Sequence, residues 1–224
     1  MPLNKTKGNM YSFVSHTWNV IKGKCPHDCS YCYMKRYPQP ELHFDEKELK
    51  TDLGSGNFIF VGSSCDDWAE DIPDNWIDQM LEHCRLYPQN RYLFQSKNPA
   101  RYALWIGELP PFTILGTTIE SNYNLLGVSR APIVFERYEA MRQLEFPKMV
   151  SIEPLMDCDI GDMMQWISDI HPNFVSIGAD SGNNHLPEPD KLKTLLLIKA
   201  LRDITTVKVK SNLRRLLNAD LQKV

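Results

Sequence analysis

Three cysteines fall within the stretch GKCPHDCSYCYMKRY: Cys25, Cys29 and Cys32, spaced C-x3-C-x2-C. Thiolates are soft ligands that select zinc, Cu(I) and iron–sulfur clusters. A structural zinc ion is closed by four ligands. His27 is the nearest further ligand, but it stands two residues from both Cys25 and Cys29, too tight a set to close one tetrahedron. A [4Fe–4S] cube usually takes four cysteines; with three, one iron stays open to a small molecule. Two other readings stand beside that one: a non-enzymatic zinc-binding module with a distant fourth ligand, and a [4Fe–4S] electron carrier or sensor.

The rest of the composition bounds the setting. The chain has 224 residues, enough for a real core without disulfides, and suits one domain, with a core over about 12–210 and a short C-terminal extension. Net charge is −3, so no global basic field holds nucleic acid by charge alone. The opening MPLNKTKGNMYSF lacks the apolar stretch of a secretory signal, and no apolar run is long enough to span a bilayer. A cytoplasmic chain without membrane contact is expected, and there clustered cysteines are more often metal ligands or catalytic thiols than disulfides.

The elements that must position the cysteines follow from hydrophobic patterning. Strands are predicted over 12–20, 57–63, 91–96, 112–118, 148–152, 174–178 and 206–209. Several, such as FIFVG and FVSIG, are near-continuous apolar runs, as in parallel strands buried on both faces. Apolar stripes at helical spacing mark 73–87, 133–144, 159–170 and 189–204, and the polar segment 35–53 reads as part helix, part loop. Such β–α alternation predicts an α/β fold, an incomplete parallel barrel with helical crossovers, since a closed eight-unit barrel takes about 250 residues. Working residues of these folds sit at the C-terminal ends of the strands. Here those ends lead to the cysteine loop, to Ser63, Ser64 and Cys65, to Lys97, to Glu120 and Ser121, to Glu153, to Asp180 and to Lys210.

The stretch CPHDCSYC, with Tyr31 just before the third cysteine, resembles the signature of the radical S-adenosylmethionine (SAM) superfamily. The segments IFVGSSCDDWAEDIPDNWID, LFQSKNPARY and VSIEPL resemble a poorly characterised, often phage-associated radical SAM family, and CSYCYM is similar to spore photoproduct lyase-like members. The resemblance implies a partial (βα)6 barrel whose first strand leads into the motif. It implies that Cys25, Cys29 and Cys32 each hold one iron of a [4Fe–4S] cluster, and that the fourth iron takes SAM. It further implies reductive cleavage of SAM to a 5′-deoxyadenosyl radical that abstracts hydrogen from a substrate, and an electron donor such as flavodoxin or ferredoxin. On that pattern Tyr31 lies by the adenine, Glu120 or Ser121 binds the ribose, and Lys97 pairs the SAM carboxylate. Ser63 or Ser64 takes the place of a Gly-Gly-Glu-like contact to the amino group, from which GSSCDD departs. Glu153, ahead of Pro154 and fixed at a strand end, is a further candidate cofactor-binding residue.

Cys65 and Cys158 both follow predicted strand ends and are candidate hydrogen-atom donors to a product radical, or small buried hydrophobes. Cys84 falls on a helix stripe and reads as packing. The substrate is open: a nucleotide, nucleic acid or peptide. Lys208, Lys210, Arg214 and Arg215 form a local basic stretch without interleaved aromatics, and read as either a phosphate contact or a solvated end.

Overall fold

The structure, a computed structural model, describes residues 3–8 and 10–217. Of the expected C-terminal extension, residues 218–224 lie outside the described residues. In chain order the strands and α-helices are β1 (Asn4–Lys5), β2 (His16–Trp18), β3 (Ile21–Lys22), β4 (His43–Phe44), β5 (Phe58–Val61), α1 (Asp74–Arg85), β6 (Arg91–Ser96), β7 (Thr113–Thr118), α2 (Val134–Gln143), β8 (Lys148–Ile152), α3 (Ile160–Ile170), β9 (Phe174–Ile177), α4 (Lys191–Ile204) and β10 (Thr206–Val209).

Eight strands form one sheet in the order β1-β2-β5-β6-β7-β8-β9-β10. Every pair from β2 to β10 is parallel, and β1 adds an antiparallel edge to β2. Among the described residues the two end strands do not pair with each other, so the barrel is incomplete, as the alternation predicts. The apolar strand runs are buried on both faces: all five residues of β8 and all four of β9 are buried. Period-2 alternation divides them. Val150, Ile152, Val175 and Ile177 pack under the helices with Leu197 and Leu201, while Met149 and Phe174 face the other way with Phe60, Leu93 and Ile114. Each large apolar side chain fully buried in this way contributes about 1.5–3 kcal/mol.

Two departures from the sequence reading matter for the site. The predicted strand over 12–20 is strand only over His16–Trp18; residues 10–14 instead cover the helix-free face of the sheet, where Tyr11 and Val14, with Met10 and Phe13, pack on Phe60, Leu93 and Phe174. That short apolar cluster fills the lower part of the barrel interior and leaves the strand ends for polar groups. The segment 35–53 holds β4, which pairs with β3 in a small antiparallel sheet, and a 3₁₀ turn over Glu46–Lys50 capped by Asp45. The link from β6 to β7 is a 3₁₀ helix, Pro99–Glu108, an element absent from the predicted set; its Tyr102 and Trp105 pack edge-on against Trp68. The four α-helices fall where predicted, with α3 and α4 started by Asp159 and Asp190, whose carboxylates accept from backbone N–H groups three residues on.

Candidate functional site

The first parallel strand, β2, delivers the chain to the cysteine loop through β3 and Gly23. Gly23 has φ +101°, and a Cβ there would stand 2.2 Å from the Glu41 carbonyl oxygen, so only glycine admits this turn. Cys29 is buried and Cys25 and Cys32 are half-buried. The three thiols are close enough to act on one another: burial raises the Cys32 thiol, and the charges of Cys29 and Cys25 add to that rise. Cys25 is drawn down to about 6, chiefly by a hydrogen bond from Cys65 and against the effect of burial, with the Asp66 backbone also helping. A 3₁₀ turn, Tyr33–Arg36, ends the loop. The connection between β7 and α2 clamps it from the side: Ser30 N–H donates to Val128 O at 2.8 Å and Arg130 N–H to His27 O at 2.8 Å.

His27, the nearest further ligand in the sequence, turns its Nε2 to within 2.9 Å of Asp66 Oδ2, without the alignment of a hydrogen bond. Among the described residues no three His, Cys, Asp or Glu side chains are arranged to hold a single metal ion. Three sulfurs on one zinc, each about 2.3 Å from it, would stand about 3.8 Å apart. A [4Fe–4S] cube asks for a different arrangement, one sulfur on each of three irons.

The turn after β5 supplies the neighbouring wall. Gly62, at φ +75°, lets the chain pass over Asp67, whose carboxylate a Cβ would meet at 2.3 Å. Asn19 Oδ1 accepts from Ser63 Oγ at 3.0 Å and Ser64 N at 3.1 Å, and Tyr33 Oη donates to Ser63 O at 2.8 Å. Asp66 ties this turn to the next strand by accepting from Lys97 N at 2.7 Å. Asp67 is buried with no partner on either oxygen; burial, then Asp66 and Cys25, push its carboxyl well above the usual range.

Across from the cysteines stands Glu120, just past β7. It accepts from Tyr31 Oη, from Arg137 Nη1 at 2.9 Å, and pairs with Lys97 Nζ at 3.4 Å. Lys97 lies 5.5 Å over the Tyr31 ring. Burial raises the Glu120 carboxyl, but Arg137 and then Lys97 more than offset it and hold it below the usual glutamate value. A cleft of about 110 Å³ opens beside this group, lined by Glu120, Arg137 and the loop 123–129.

The family profile described as "Protein of unknown function (DUF5131)" matches residues 9–196, most of the chain. The chain belongs to the DUF5131 family. No curated protein matches it. Among solved structures, a cysteine-to-serine variant of spore photoproduct lyase is 12% identical, with a TM-score of 0.59 over 91% of this chain and 66% of that one. A cysteine-to-alanine variant of spore photoproduct lyase is 10% identical, with a TM-score of 0.64 over 97% of this chain and 79% of that one. A third, with bound AdoMet and dinucleoside spore photoproduct, is 11% identical, with a TM-score of 0.56 over 91% and 66%. This DUF5131 chain spans about two thirds of the length of the first of these. At such identities the likeness is one of fold.

In this DUF5131 member the contacts link Cys25, Cys29, Cys32, Tyr31, Lys97, Glu120 and Cys65 at one end of the sheet. Ser63 and Ser64 border them through Tyr33 and Asn19. Glu153 stands on the strand beyond, 2.9 Å from Lys210 Nζ, with Lys97 among the charges acting on it. Ser121 has its hydroxyl engaged elsewhere: it donates to Asp157 O at 2.6 Å and accepts from Tyr123 N at 2.9 Å, holding two loops together. Cys158 is fully buried in the helix-side core, where burial pushes its thiol up to about 11. Cys84 packs in the same core. Arg137 escaped the sequence reading. Its signal was a charged residue on the apolar stripe of Val134, Tyr138 and Met141, where a solvated arginine does not belong.

Proposed function

We propose that this chain is a radical SAM enzyme in which Cys25, Cys29 and Cys32 hold one [4Fe–4S] cluster. The observation that carries the reading is the juxtaposition of three cysteines, on the loop after the first parallel strand, with the Tyr31–Lys97–Glu120–Arg137 group, in which Glu120 and Arg137 are buried. The donor set fits: soft sulfurs, one buried and two half-buried, one of them already drawn toward the thiolate that iron requires. A spore photoproduct lyase variant of the same fold was solved with bound AdoMet, which supports the same cofactor here. When bound, the cluster and SAM supply reductive cleavage of the sulfonium and a 5′-deoxyadenosyl radical that takes hydrogen from the substrate.

The chain's own residues bind, orient and shield. Glu120 accepts from the ribose hydroxyls, and Lys97 exchanges part of its pairing with Glu120 for the SAM carboxylate. Tyr31 lies by the adenine, and Ser63 or Ser64 offers the turn after β5 to the amino group. Ser121 serves the loop rather than the ribose. Glu153, paired with Lys210 and within reach of the Lys97 charge, is a further cofactor-binding candidate. Of the two hydrogen-atom donors, the contact with Cys25 favours Cys65, and full burial in the helix-side core gives Cys158 a packing role. The electron comes from a donor such as flavodoxin or ferredoxin, and the protein works in the cytoplasm. Among the described residues no helix is long and apolar enough to cross a membrane.

Anaerobic reconstitution with iron and sulfide tests this. The expected product is a brown protein holding about four irons, forming 5′-deoxyadenosine from SAM and dithionite. Alanine at Cys25, Cys29 or Cys32 is expected to abolish both. A colourless protein with one tight zinc would reverse the reading in favour of the zinc module. A cluster that forms without SAM cleavage would favour the electron carrier or sensor.

A further inference from the structure

The loop that clamps the cysteine motif brings one hydroxyl against it. The backbone bonds from Ser30 to Val128 and from Arg130 to His27 align residues 27–30 with 128–130, and between them Ser129 Oγ stands 3.2 Å from Cys29 Sγ. A serine hydroxyl has one hydrogen to give and lone pairs to receive with. Ser129 receives from Ala131 N–H at 3.1 Å, which fixes the hydroxyl oxygen in place. Its hydrogen then has two acceptors in reach: the Cys29 sulfur at 3.2 Å and the His27 carbonyl at 3.3 Å. In the free thiol either Cys29 or Ser129 is able to donate. An iron-bound sulfur has no hydrogen and carries negative charge, and hydrogen bonds to charged acceptors are about twice as strong as neutral ones.

We propose that Ser129 is a positioning residue that donates a hydrogen bond to the cluster-bearing sulfur of Cys29 and so raises the reduction potential of the site. This rests on the radical SAM reading above. The physical basis is general: reduction adds negative charge that spreads onto the cysteine sulfurs, a fixed donor aimed at one of them stabilises the reduced form more than the oxidised, and hydrogen bonds to the sulfurs are among the determinants of iron–sulfur potentials. Ser129 is suited to the task because the clamp, rather than the flexible tip of a long side chain, sets its place. Nothing in the C-x3-C-x2-C motif signals it, since it lies a hundred residues further along the chain.

The test is a potentiometric titration of the reconstituted protein with dithionite, in the absence of SAM, followed by the EPR signal of the one-electron-reduced cluster. Ser129→Ala is expected to load iron as the parent does and to make reduction about tenfold less favourable, a fall of about 59 mV for a one-electron couple. Ser129→Thr keeps a hydroxyl and is expected to restore most of the difference. A loaded Ser129→Ala protein whose potential is unmoved overturns the inference and gives the hydrogen to His27. Equal shifts in the alanine and threonine variants also overturn it, because packing rather than the donated hydrogen would then set the potential. If neither the parent nor the variants take up a cluster, the radical SAM reading falls and this inference falls with it, an outcome distinct from the other two.

Discussion

Two glutamates, one buried and one half-buried, stand at the ends of neighbouring strands, and their carboxyls are shifted in opposite directions. Glu120, past β7, is 4% exposed and has two cations, Arg137 at 2.9 Å and Lys97 at 3.4 Å, as well as the Tyr31 hydroxyl. Glu153, past β8, has one cation, Lys210 at 2.9 Å. Burial pushes both carboxyls up. At Glu120 the cations win and the group is held low; at Glu153 burial wins and the group is held high. A unit charge about 4 Å away acts with about 4 kcal/mol at an effective dielectric near 20, so one further cation is enough to reverse the sign. The side of the sheet next to the cysteines therefore carries a fixed carboxylate, and the far side a carboxyl closer to its neutral form. A fixed anion orients and accepts; a group nearer neutrality exchanges a proton with what binds beside it.

Removing the Glu120 carboxylate should produce the largest effect. Glu120→Ala leaves Arg137, 4% exposed, and the half-buried Lys97 without their shared counter-ion. Breaking a buried ion pair from one side costs about 3–5 kcal/mol. For a chain of this size that is a fall in Tm of roughly 6–20 °C. Glu120→Gln, which keeps an acceptor for Tyr31, should lose less. Thermal unfolding of the cofactor-free protein measures both, and a change below about 1 kcal/mol in Glu120→Ala would mean that the cluster of charges is solvated and the contrast with Glu153 is empty.

Much of this contrast was legible in the sequence, and what was not had physical reasons. The cysteines, Lys97, Glu120 and Glu153 announced themselves because a polar residue directly behind an apolar strand run has to stand at a strand end. The helices were legible from their stripes. The run 12–20 reads as one strand, but only His16–Trp18 pairs with β5; Phe13 and Val14 carry the same residue types because they too bury apolar side chains, on the face of the sheet rather than within it. Patterning registers burial and does not distinguish those two ways of achieving it. Arg137 and Ser129 decide the state of the site from the side, and neither belongs to a motif. Cys65 and Cys158 looked equivalent as thiols behind strands, yet one meets Cys25 and the other the helix-side core.

The far glutamate can be disturbed without removing it. Gly178, after β9, has no side chain where a Cβ would stand 3.0 Å from Asn212 Oδ1 and 3.0 Å from the Glu153 carboxyl carbon. Gly178→Ala should press on both and cost about 1–3 kcal/mol, the usual range for overfilling a packed site. It should also push Glu153 Oε1, 3.1 Å from that Cβ, off Lys210 and so lift the Glu153 carboxyl further. Denaturant unfolding reads the first effect, and the carboxyl carbon shift of Glu153 against pH reads the second. An unchanged midpoint together with an unchanged titration would show that Glu153 is free to move aside, and that its raised state does not depend on this cradle.

The smallest expected effect is the most direct test of the opposite signs. A glutamate raised in the folded state contributes stability that is present below its ordinary value of 4.5 and is lost as pH climbs through the raised folded value. A depressed glutamate does the reverse: its contribution is present above 4.5 and is lost as pH falls through the lowered folded value. The two windows lie on opposite sides of 4.5. Replacing Glu153 by Gln removes the upper one, and Lys210 keeps an amide oxygen and the face of Tyr11, 4.9 Å away. At neutral pH Glu153→Gln should therefore alter stability by about 1 kcal/mol or less. Above 4.5 the parent should lose stability relative to this variant as pH rises, until Glu153 is fully ionised, and the difference should then stay flat. Below 4.5 the two should lose stability in parallel, since Glu120 is intact in both. A difference between parent and variant that grows in the parent's favour as pH rises would place Glu153 among the lowered carboxylates and dissolve the contrast with Glu120.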